Sequence, residues 1–361
     1  LVRFWLYLQK RFREYIKITW RCADVEFDFK NEFESMMKSN ELDTVVVLGH
    51  INPDGDAAGS VMGIAHYIGV NYPEYQVFPY LADTIDKGPK LQVSRDKKFD
   101  PFEKPDLQGK RFATVICDTA TLARLSGREF YEASVASIVI DHHASNEGYG
   151  DRNYTKVSEA CAVNVFYSLN QDDLKKAAEA EEYPNAADYI YLGIVHDTNA
   201  FQRADESIMK AATKLLELGV DHRRIIQTRQ IDTLEDLEKR ADILKNAIRV
   251  LDGKVAYVCI NKEEKVKKNI SYEEIHPISS ILRDCVDIEL GFTMYEEEPD
   301  RWRCSFRSDG KWIDVNELIT PFGGGGHAGA AGLRKRTGDM EELRSQILEK
   351  VKKLRAEKCF T

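Results

Sequence analysis

The chain has 361 residues, of which 43% are hydrophobic and 31% are charged. These values are ordinary for a globular protein, exclude a disordered or fibrous one, and with this length favour two domains. Fifty-one basic and 60 acidic residues give a net charge of −9, which argues against binding to long duplex DNA, because such binding depends on neutralising many phosphates.

Residues 1–23 are predicted to form a basic N-terminal extension. Their apolar run, 4–8, is too short for a signal peptide or a membrane span. The seven cysteines include no C-x-x-C pair, which disfavours a disulfide framework or a structural zinc site. We therefore expect a cytoplasmic protein without a membrane span.

The hydrophobic pattern of residues 24–228 predicts an α/β domain with a doubly wound, mainly parallel sheet. Short uninterrupted apolar runs separated by helix-length segments are typical of parallel strands that are covered on both faces. The predicted strands are 44–48, 76–80, 112–117 and 137–140, with a helix at 57–70. Residues 172–183 are expected to form a surface helix or loop, and 188–195 fit either a strand or a buried helix.

A second, smaller α+β domain is predicted at 251–361, after a helical linker at 229–250. The linker pattern predicts one helix over 231–250, whose buried side carries Leu234, Leu237, Ile243, Leu244 and Ile248. Strands are predicted at 254–260, 288–294 and 302–306. A C-terminal helix is expected to begin at the capping pair Asp339 and Glu342.

Acidic residues or histidines directly follow apolar runs at four places in the first domain, namely 49–56, 117–118, 141–143 and 196–197. A single Asp at a strand end is usually a helix cap, and a single His is usually a packed or surface residue. Residues just beyond parallel strands, however, line one common crevice, where ligands bind. The convergence of these segments therefore predicts a functional site.

The composition of this set favours a metal centre. Aspartates and imidazoles without thiolates suit Mn²⁺ or Mg²⁺ better than a structural zinc ion. Six side chains are too many for one open ion site, so we expect two ions about 3.5–4 Å apart that share a carboxylate. The candidate ligands are His50, Asp54, Asp56, Asp118, His142 and Asp197.

A glycine run marks the second domain. The four glycines at 323–326 are expected to leave backbone N–H groups exposed to an anion, although such runs are often hinges. His327 follows the run directly, and Arg307 precedes it on a predicted strand. An arginine can hold a phosphate through two hydrogen bonds, or it can form a surface ion pair.

Together these motifs resemble those of the DHH phosphoesterases, named for a triplet that stands here at 141–143. The resemblance covers about 44–354, with all motifs in family order. It rests on His50-x-x-x-Asp54-x-Asp56-x-x-Gly59-Ser60, Asp118, Asp141-His142-His143 with Asn146, Asp197-Thr198 with Phe201, and the 323–327 signature of the DHH-associated C-terminal domain. Within the family, the chain is most similar to the bifunctional oligoribonuclease and pAp phosphatase (nanoRNase) branch.

The resemblance implies two Mn²⁺ ions, for which Mg²⁺ is a possible substitute. One ion would be held by His50, Asp54 and Asp118, and the other by Asp56, Asp118, His142 and Asp197, with Asp118 bridging. Asp118 and His143 would be catalytic, with His143 contacting the scissile phosphate or protonating the leaving group. Substrate would be bound across the interdomain cleft by Arg307, Ser308, Gly324, Gly325, Gly326 and His327. The resemblance also implies a homodimer.

The expected activity is hydrolysis of short oligoribonucleotides or dinucleotides, and of 3′-phosphoadenosine 5′-phosphate (pAp), by in-line attack of a water bridging two metal ions. Cyclic di-AMP and its linear product pApA are alternative substrates. A catalytically silent nucleotide-binding module is the non-enzyme alternative, which the complete ligand set disfavours. Two segments, 196–199 and 158–161, depart from the family pattern near the crevice and leave the substrate preference open.

Overall fold

The structure, a computed structural model, describes residues 27–82, 85, 87–229 and 232–358. The predicted N-terminal extension, 1–23, lies outside these residues. The chain divides into two compact units, with the boundary between residues 231 and 232, which we call the first and second units. The division of the chain into an extension, two domains and a linker at 229–250 stays a prediction.

The first unit contains a sheet of five parallel strands in the order β2-β1-β3-β4-β5. Every residue of the three central strands is buried, as expected when helices cover both faces. The predicted α/β class and the predicted strands are confirmed. The strands are β1 (Thr44–Leu48), β2 (Gln76–Tyr80), β3 (Ala113–Cys117), β4 (Ala136–Asp141) and β5 (Arg152–Thr155).

Nine α-helices accompany this sheet in the described part of the first unit. They are α1 (Phe29–Ser39), α2 (Gly55–Asn71), α3 (Lys87–Val93), α4 (Arg128–Ala133), α5 (Cys161–Ser168), α6 (Gln171–Ala180), α7 (Ala186–Asp197), α8 (Glu206–Glu217) and α9 (His222–Gln227). The ambiguous segment 188–195 belongs to the buried helix α7, which begins with a capping box formed by Asn185 and Asp188.

Helices α2 and α7 run antiparallel and touch through glycines. A Cβ atom placed on Gly59 would lie 2.5 Å from the carbonyl oxygen of Tyr189 and 2.7 Å from the nitrogen of Gly193. At the next turn, a Cβ atom on Gly63 would lie 2.8 Å from the side chain of Ile190. This close contact sets the first turn of α2 beside the last turn of α7.

A buried charge network lies further along α2. The His66 ring is 2% exposed, and its Nε2 and Nδ1 lie 2.7 Å from Asp96 and 2.5 Å from Glu181. Burial disfavours the imidazolium, but the hydrogen bonds with the two carboxylates outweigh it and raise the pKa of His66 above its usual range. The pKa values of Asp96 and Glu181 are lowered for the complementary reason, against the effect of burial.

This network predicts how stability depends on pH. The raised pKa of His66 means that the charged ring stabilises the folded state fully below pH ~6.5, its unfolded pKa, and that this contribution is lost as pH rises through the folded pKa. We expect His66→Gln to lower the free energy of unfolding by about 3–5 kcal/mol near pH 6, and by progressively less up to pH 10, as measured by urea denaturation.

His222→Gln is the matched control, because the His222 ring pairs with the neutral hydroxyl of Tyr191 at 2.8 Å. Its effect on stability should change little over the same pH range. A constant gap between wild type and His66→Gln from pH 6 to pH 10 would show that the charge of His66 does not contribute.

The second unit contains a mixed sheet of six strands in the order β10-β11-β9-β8-β7-β6, confirming the predicted α+β architecture. The strands are β6 (Ile248–Val250), β7 (Val255–Ile260), β8 (Leu290–Glu298), β9 (Arg301–Ser308), β10 (Gly325–His327) and β11 (Ala330–Arg336). The helices are α10 (Leu234–Leu244), α11 (Lys262–Lys267), α12 (Tyr272–Ile275), α13 (Ile278–Arg283), α14 (Val315–Ile319) and α15 (Met340–Lys358).

The helix predicted over 231–250 is wrong in its C-terminal part. Helix α10 ends at Leu244, and Ile248 begins β6, which pairs with β7. Leu234 and Leu237, predicted to be buried, are 73% and 51% exposed. Among the described residues, no helix is long and apolar enough to span a membrane.

Candidate metal centre

The residues predicted to bind metal converge at the carboxyl edge of the first sheet. His50, Asp118 and His142 follow the neighbouring strands β1, β3 and β4. Asp54 caps the N-terminus of α2, accepting hydrogen bonds from two backbone N–H groups, and Asp197 is the last residue of α7. The contact between α2 and α7 therefore brings the remaining carboxylates to the strand ends.

Within the described residues, the donor atoms form three overlapping groups. In each group, one ligand atom from every residue lies within 4.8 Å of the others. The groups are His50, Asp54 and Asp118; Asp56, His142 and Asp197; and Asp118, Asp141, His142 and His143. Asp118 belongs to the first and third groups, and His142 belongs to the second and third.

Backbone carbonyl groups orient two imidazoles towards Asp118. His50 Nδ1 lies 2.8 Å from the carbonyl oxygen of Ile51, and His142 Nδ1 lies 2.9 Å from that of Ser158. When each Nδ1–H donates to its carbonyl group, the lone pair of Nε2 faces a carboxylate oxygen of Asp118, at 3.4 Å for His50 and 3.2 Å for His142. Two acceptors at this distance require a cation or a proton between them.

Asp118 has the features of a bridging ligand. Its backbone is left-handed, with φ +52°, and its N–H group donates to the carbonyl oxygen of Ile140 at 3.0 Å. The side chain is buried, and its Oδ1 accepts no hydrogen bond within the described residues. A buried carboxylate oxygen without a donor is costly, so this atom fits coordination to a metal ion.

Backbone N–H groups at the start of α5 hold the side chain of Asp56. Its two oxygens accept hydrogen bonds from the backbone N–H groups of Cys161, at 2.5 Å, and Ala162, at 2.9 Å. Burial and the nearby Asp118 carboxylate nevertheless raise the pKa of Asp56 to about 7. The Ser60 hydroxyl also donates to Asp56 Oδ1, at 3.4 Å. A negative charge at Asp56 therefore needs more than these three donors.

The electrostatics of the whole cluster favour an added positive charge. Burial disfavours a charged His142, yet the adjacent Asp118 carboxylate, together with the charges of Asp56 and Asp197, raises the pKa of His142 to about 11. Burial and the Asp56 carboxylate raise the pKa of Asp197 well above its usual range. In both cases a proton is retained where carboxylates crowd together. Divalent cations meet the same demand, and the Asp/His donor set suits them.

His143 is held by the first member of its triplet. Its Nδ1 lies 2.8 Å from Oδ1 of Asp141, and 3.6 Å from Oδ1 of Asp118. Asp141 is fully buried, and its other oxygen accepts a hydrogen bond from the Asn146 amide at 2.6 Å. Asp141 thus orients His143 beside the predicted bridging carboxylate.

The second unit contains the predicted substrate-binding residues. Arg307 lies on β9 with Gly291 and Ala330 as its register partners, and its Nη1 donates to the carbonyl oxygen of Phe306 at 3.0 Å. Ser308 is buried, and its hydroxyl donates to the carbonyl oxygen of Ile313 at 2.6 Å. Ser308 therefore holds the following loop, and its contact with substrate stays a prediction.

The glycine run differs from the expectation that its N–H groups are exposed. The Gly323 and Gly324 nitrogens donate to backbone carbonyl groups, and Gly326 donates to Oδ1 of Asn316 at 3.0 Å. Gly325 and Gly326 lie in β10, whose residues, including His327, are exposed. Gly324 is required for packing, since a Cβ atom there would lie 2.5 Å from the Ile319 side chain and 2.7 Å from the carbonyl oxygen of Gly332.

Two protein-family models match the two units of this chain. The N-terminal domain of the DHH family matches residues 44–194, which carry five of the six candidate ligands, and the DHHA1 domain matches residues 252–353. The chain belongs to the DHH family.

The similarity to curated relatives extends over most of this DHH protein. The chain is 26% identical over 292 residues to the bifunctional oligoribonuclease and PAP phosphatase NrnA of Bacillus subtilis, covering 80% of this chain and 88% of the relative. It is 28% identical over 297 residues to NrnA of Mycoplasma pneumoniae, covering 80% and 87%. The crystal structure of an exopolyphosphatase-related protein from Bacteroides fragilis has a TM-score of 0.76 at 22% identity, covering 91% of this chain and 97% of that one, and shows the same fold.

Several contacts that support the DHH site were not predicted from the sequence, and three of them show why. Asp141 orients His143, the carbonyl group of Ser158 orients His142, and the N–H group of Cys161 holds Asp56. The first was detectable, because Asp141 directly follows an apolar run. The other two are backbone groups, for which side-chain identity gives no signal, and both lie in the segment 158–161 that departs from the family pattern.

Proposed function

We propose that this DHH protein is a Mn²⁺-dependent phosphoesterase that hydrolyses short oligoribonucleotides and pAp. The observation that carries the proposal is the position of Asp118 between two donor groups. Asp118 forms one group with His50 and Asp54, and its Oδ1 lies 3.2 Å from Nε2 of His142, which forms another group with Asp56 and Asp197. The substrate class is supported by the oligoribonuclease and PAP phosphatase names of the relatives from Bacillus subtilis and Mycoplasma pneumoniae.

The residues divide into two proposed ion sites. His50, Asp54 and Asp118 would hold one Mn²⁺, and Asp56, Asp118, His142 and Asp197 would hold the other. Such a pair of ions activates water and stabilises the charge that develops on a reacting phosphoryl group. The carbonyl groups of Ile51 and Ser158 keep the Nε2 atoms of His50 and His142 available as ligands.

His143 is the proposed proton donor to the leaving group. Asp141 accepts a hydrogen bond from its Nδ1 at 2.8 Å, so exchange of a proton with substrate would occur at Nε2. Because Asp141 also accepts from Asn146, the imidazole is oriented from behind by a carboxylate that is itself held in place.

The charge of the chain favours small substrates. Its net charge is −9, and each phosphate that no cation contacts adds repulsion. Substrates of two to about five nucleotides, or a nucleoside bisphosphate, are therefore proposed to react faster than long RNA. The test is turnover with Mn²⁺ on pApA, cyclic di-AMP, pAp, pyrophosphate and RNA of 2 to 24 nucleotides. Fastest cleavage of the 24-mer or of pyrophosphate would contradict the proposal, and no turnover of any would favour a silent binding module.

Arg307 is proposed to bind a substrate phosphate. Arg307→Ala should lower kcat/KM for pApA by about 10–100-fold, since a hydrogen bond to a charged group contributes about 1.5–3 kcal/mol. The loss on bis-p-nitrophenyl phosphate, a small generic ester, should be much smaller. Steady-state kinetics on the two substrates give the comparison.

Arg301→Ala is the matched control, because Arg301 lies on the same strand and is paired with Glu298 at 3.3 Å. It should leave both rates near wild type. Equal losses on both substrates in Arg307→Ala would instead place Arg307 in a structural role.

A further inference from the structure

One face of the second sheet carries polar groups beside Arg307. Along β9, Trp302, Cys304 and Phe306 are buried in the core that also contains Ile347 and Val351 of α15. Because side chains alternate along a strand, Arg303, Ser305 and Arg307 share the opposite face. Their register partners on β11 are Arg334, Gly332 and Ala330.

This face is covered over one half only. Over β7 and β8, a second core forms from residues such as Val258, Ile275, Ile278 and Tyr295. Between Arg303 and Arg307 the side chains are small or absent. Ser305 is buried, Ala330 is partly exposed and Gly332 is exposed. A Cβ atom built on Gly332 would have a single neighbour within 4 Å among the described residues, the Cys304 carbonyl oxygen at 3.7 Å. There is therefore room above this part of the sheet.

Aromatic and guanidinium groups are in contact at the border between the two halves. The rings of Tyr272 and His276 have centroids 5.0 Å apart and are tilted by 50° to each other. The Arg303 guanidinium lies 4.1 Å from the centre of the Tyr272 ring, and its Nη2 donates to the Tyr272 hydroxyl at 2.5 Å. His276 and Arg303 are both partly exposed. Together these three residues form a stack, which we call the Tyr272 stack.

The charges around this stack disfavour a cationic ligand. Burial lowers the pKa of His276 to about 4, and the guanidinium groups of Arg307, Arg303 and Arg240 add to this effect. The imidazole is therefore neutral near pH 7 and surrounded by positive charge. Arg303 is already paired with Glu297 at 3.5 Å, so the faces of the stack are better suited to a flat neutral group than to a second phosphate.

We infer that the Tyr272 stack binds a nucleobase of the substrate, with Arg307 next to it on the sheet for the attached phosphate. Bases of single-stranded RNA stack on aromatic rings and on arginine planes, largely regardless of sequence. The inference rests on the proposed function and adds to it a subsite for the base, formed by residues that no motif predicted.

The test compares two ligands that differ only in the base. Binding of AMP and of ribose 5-phosphate to the manganese-loaded chain is measured by calorimetry. Wild type should bind AMP about 10-fold more tightly, since base stacking contributes about 1–3 kcal/mol, and 1.4 kcal/mol is a factor of ten. His276→Ala should remove most of this preference, whereas His276→Phe, which retains a flat ring, should keep it.

Arg303→Ala gives an independent test should His276→Ala fail to fold. It should also reduce the preference for AMP, whereas Arg301→Ala, at the partly exposed start of the same strand, should not. Equal affinity of wild type for the two ligands, or an equal loss of both in His276→Ala, would overturn the inference, as would the absence of binding by either. Turnover of pApA by a chain with no preference for AMP would leave the proposed function standing without this subsite.

Discussion

Replacing Asp118 by Ala is expected to lower Mn²⁺-dependent hydrolysis of pApA by about 10³-fold or more. Asp118 contributes to both proposed ion sites, and metal ions contribute several kcal/mol to stabilising the reacting phosphoryl group, where each 1.4 kcal/mol is a factor of ten in rate. The measurement is single-turnover kinetics at saturating Mn²⁺, together with the number of ions bound per chain.

Asp172→Asn is a suitable control, because Asp172 is an exposed acid in the first turn of α6. It should retain full activity and the full number of ions. Circular dichroism should show that Asp118→Ala is folded. Wild-type rates in a folded Asp118→Ala variant would refute the assignment of a shared carboxylate.

Removing the metal is expected to abolish activity and to destabilise the protein. A ligand at about 100 times its Kd adds about 2.7 kcal/mol to folding, which corresponds to a rise in Tm of about 5–10 °C for a unit of this size. Treatment with a chelator followed by dialysis should eliminate hydrolysis of pApA. Added Mn²⁺ should restore both the activity and the Tm, as followed by kinetics and calorimetry.

Asp118→Ala is also the control here. Its Tm should respond much less to Mn²⁺ than that of wild type, because both proposed ion sites lose a ligand. Activity that survives chelation of the wild-type enzyme would contradict this prediction. An equal rise in the Tm of both proteins with Mn²⁺ would show that the ion binds away from Asp118.

The strands and the candidate ligands were predictable for the same reason. An apolar run that ends in Asp or His identifies both the strand and the residue beyond it, as at His50, Asp118 and His142. Helix α7 remained ambiguous because it is buried from Ala186 to Val195, and a segment buried on all sides has no polar face to reveal its period.

The errors lie where sequence pattern and packing diverge. Helical spacing continues from Leu244 to Ile248, but Ile248 starts a three-residue strand at the edge of a sheet, which only its pairing with β7 defines. The Tyr272 stack was not predicted at all, because α12 has four residues and its arginine comes from β9. Contacts between distant segments leave no periodic signal.

The glycine contact between α2 and α7 limits how this protein can vary. A methyl group at Gly59 would start 2.5 Å from a backbone oxygen, whereas ordinary contact begins near 3.4 Å, so the helices would have to separate by nearly an ångström. A core can absorb such a shift at moderate cost. The distances between a metal ion and its ligands, however, vary by only about 0.2 Å. A wider spacing of α2 and α7 would move Asp56 away from Asp197. It would therefore disrupt the proposed second ion site while the protein could still fold.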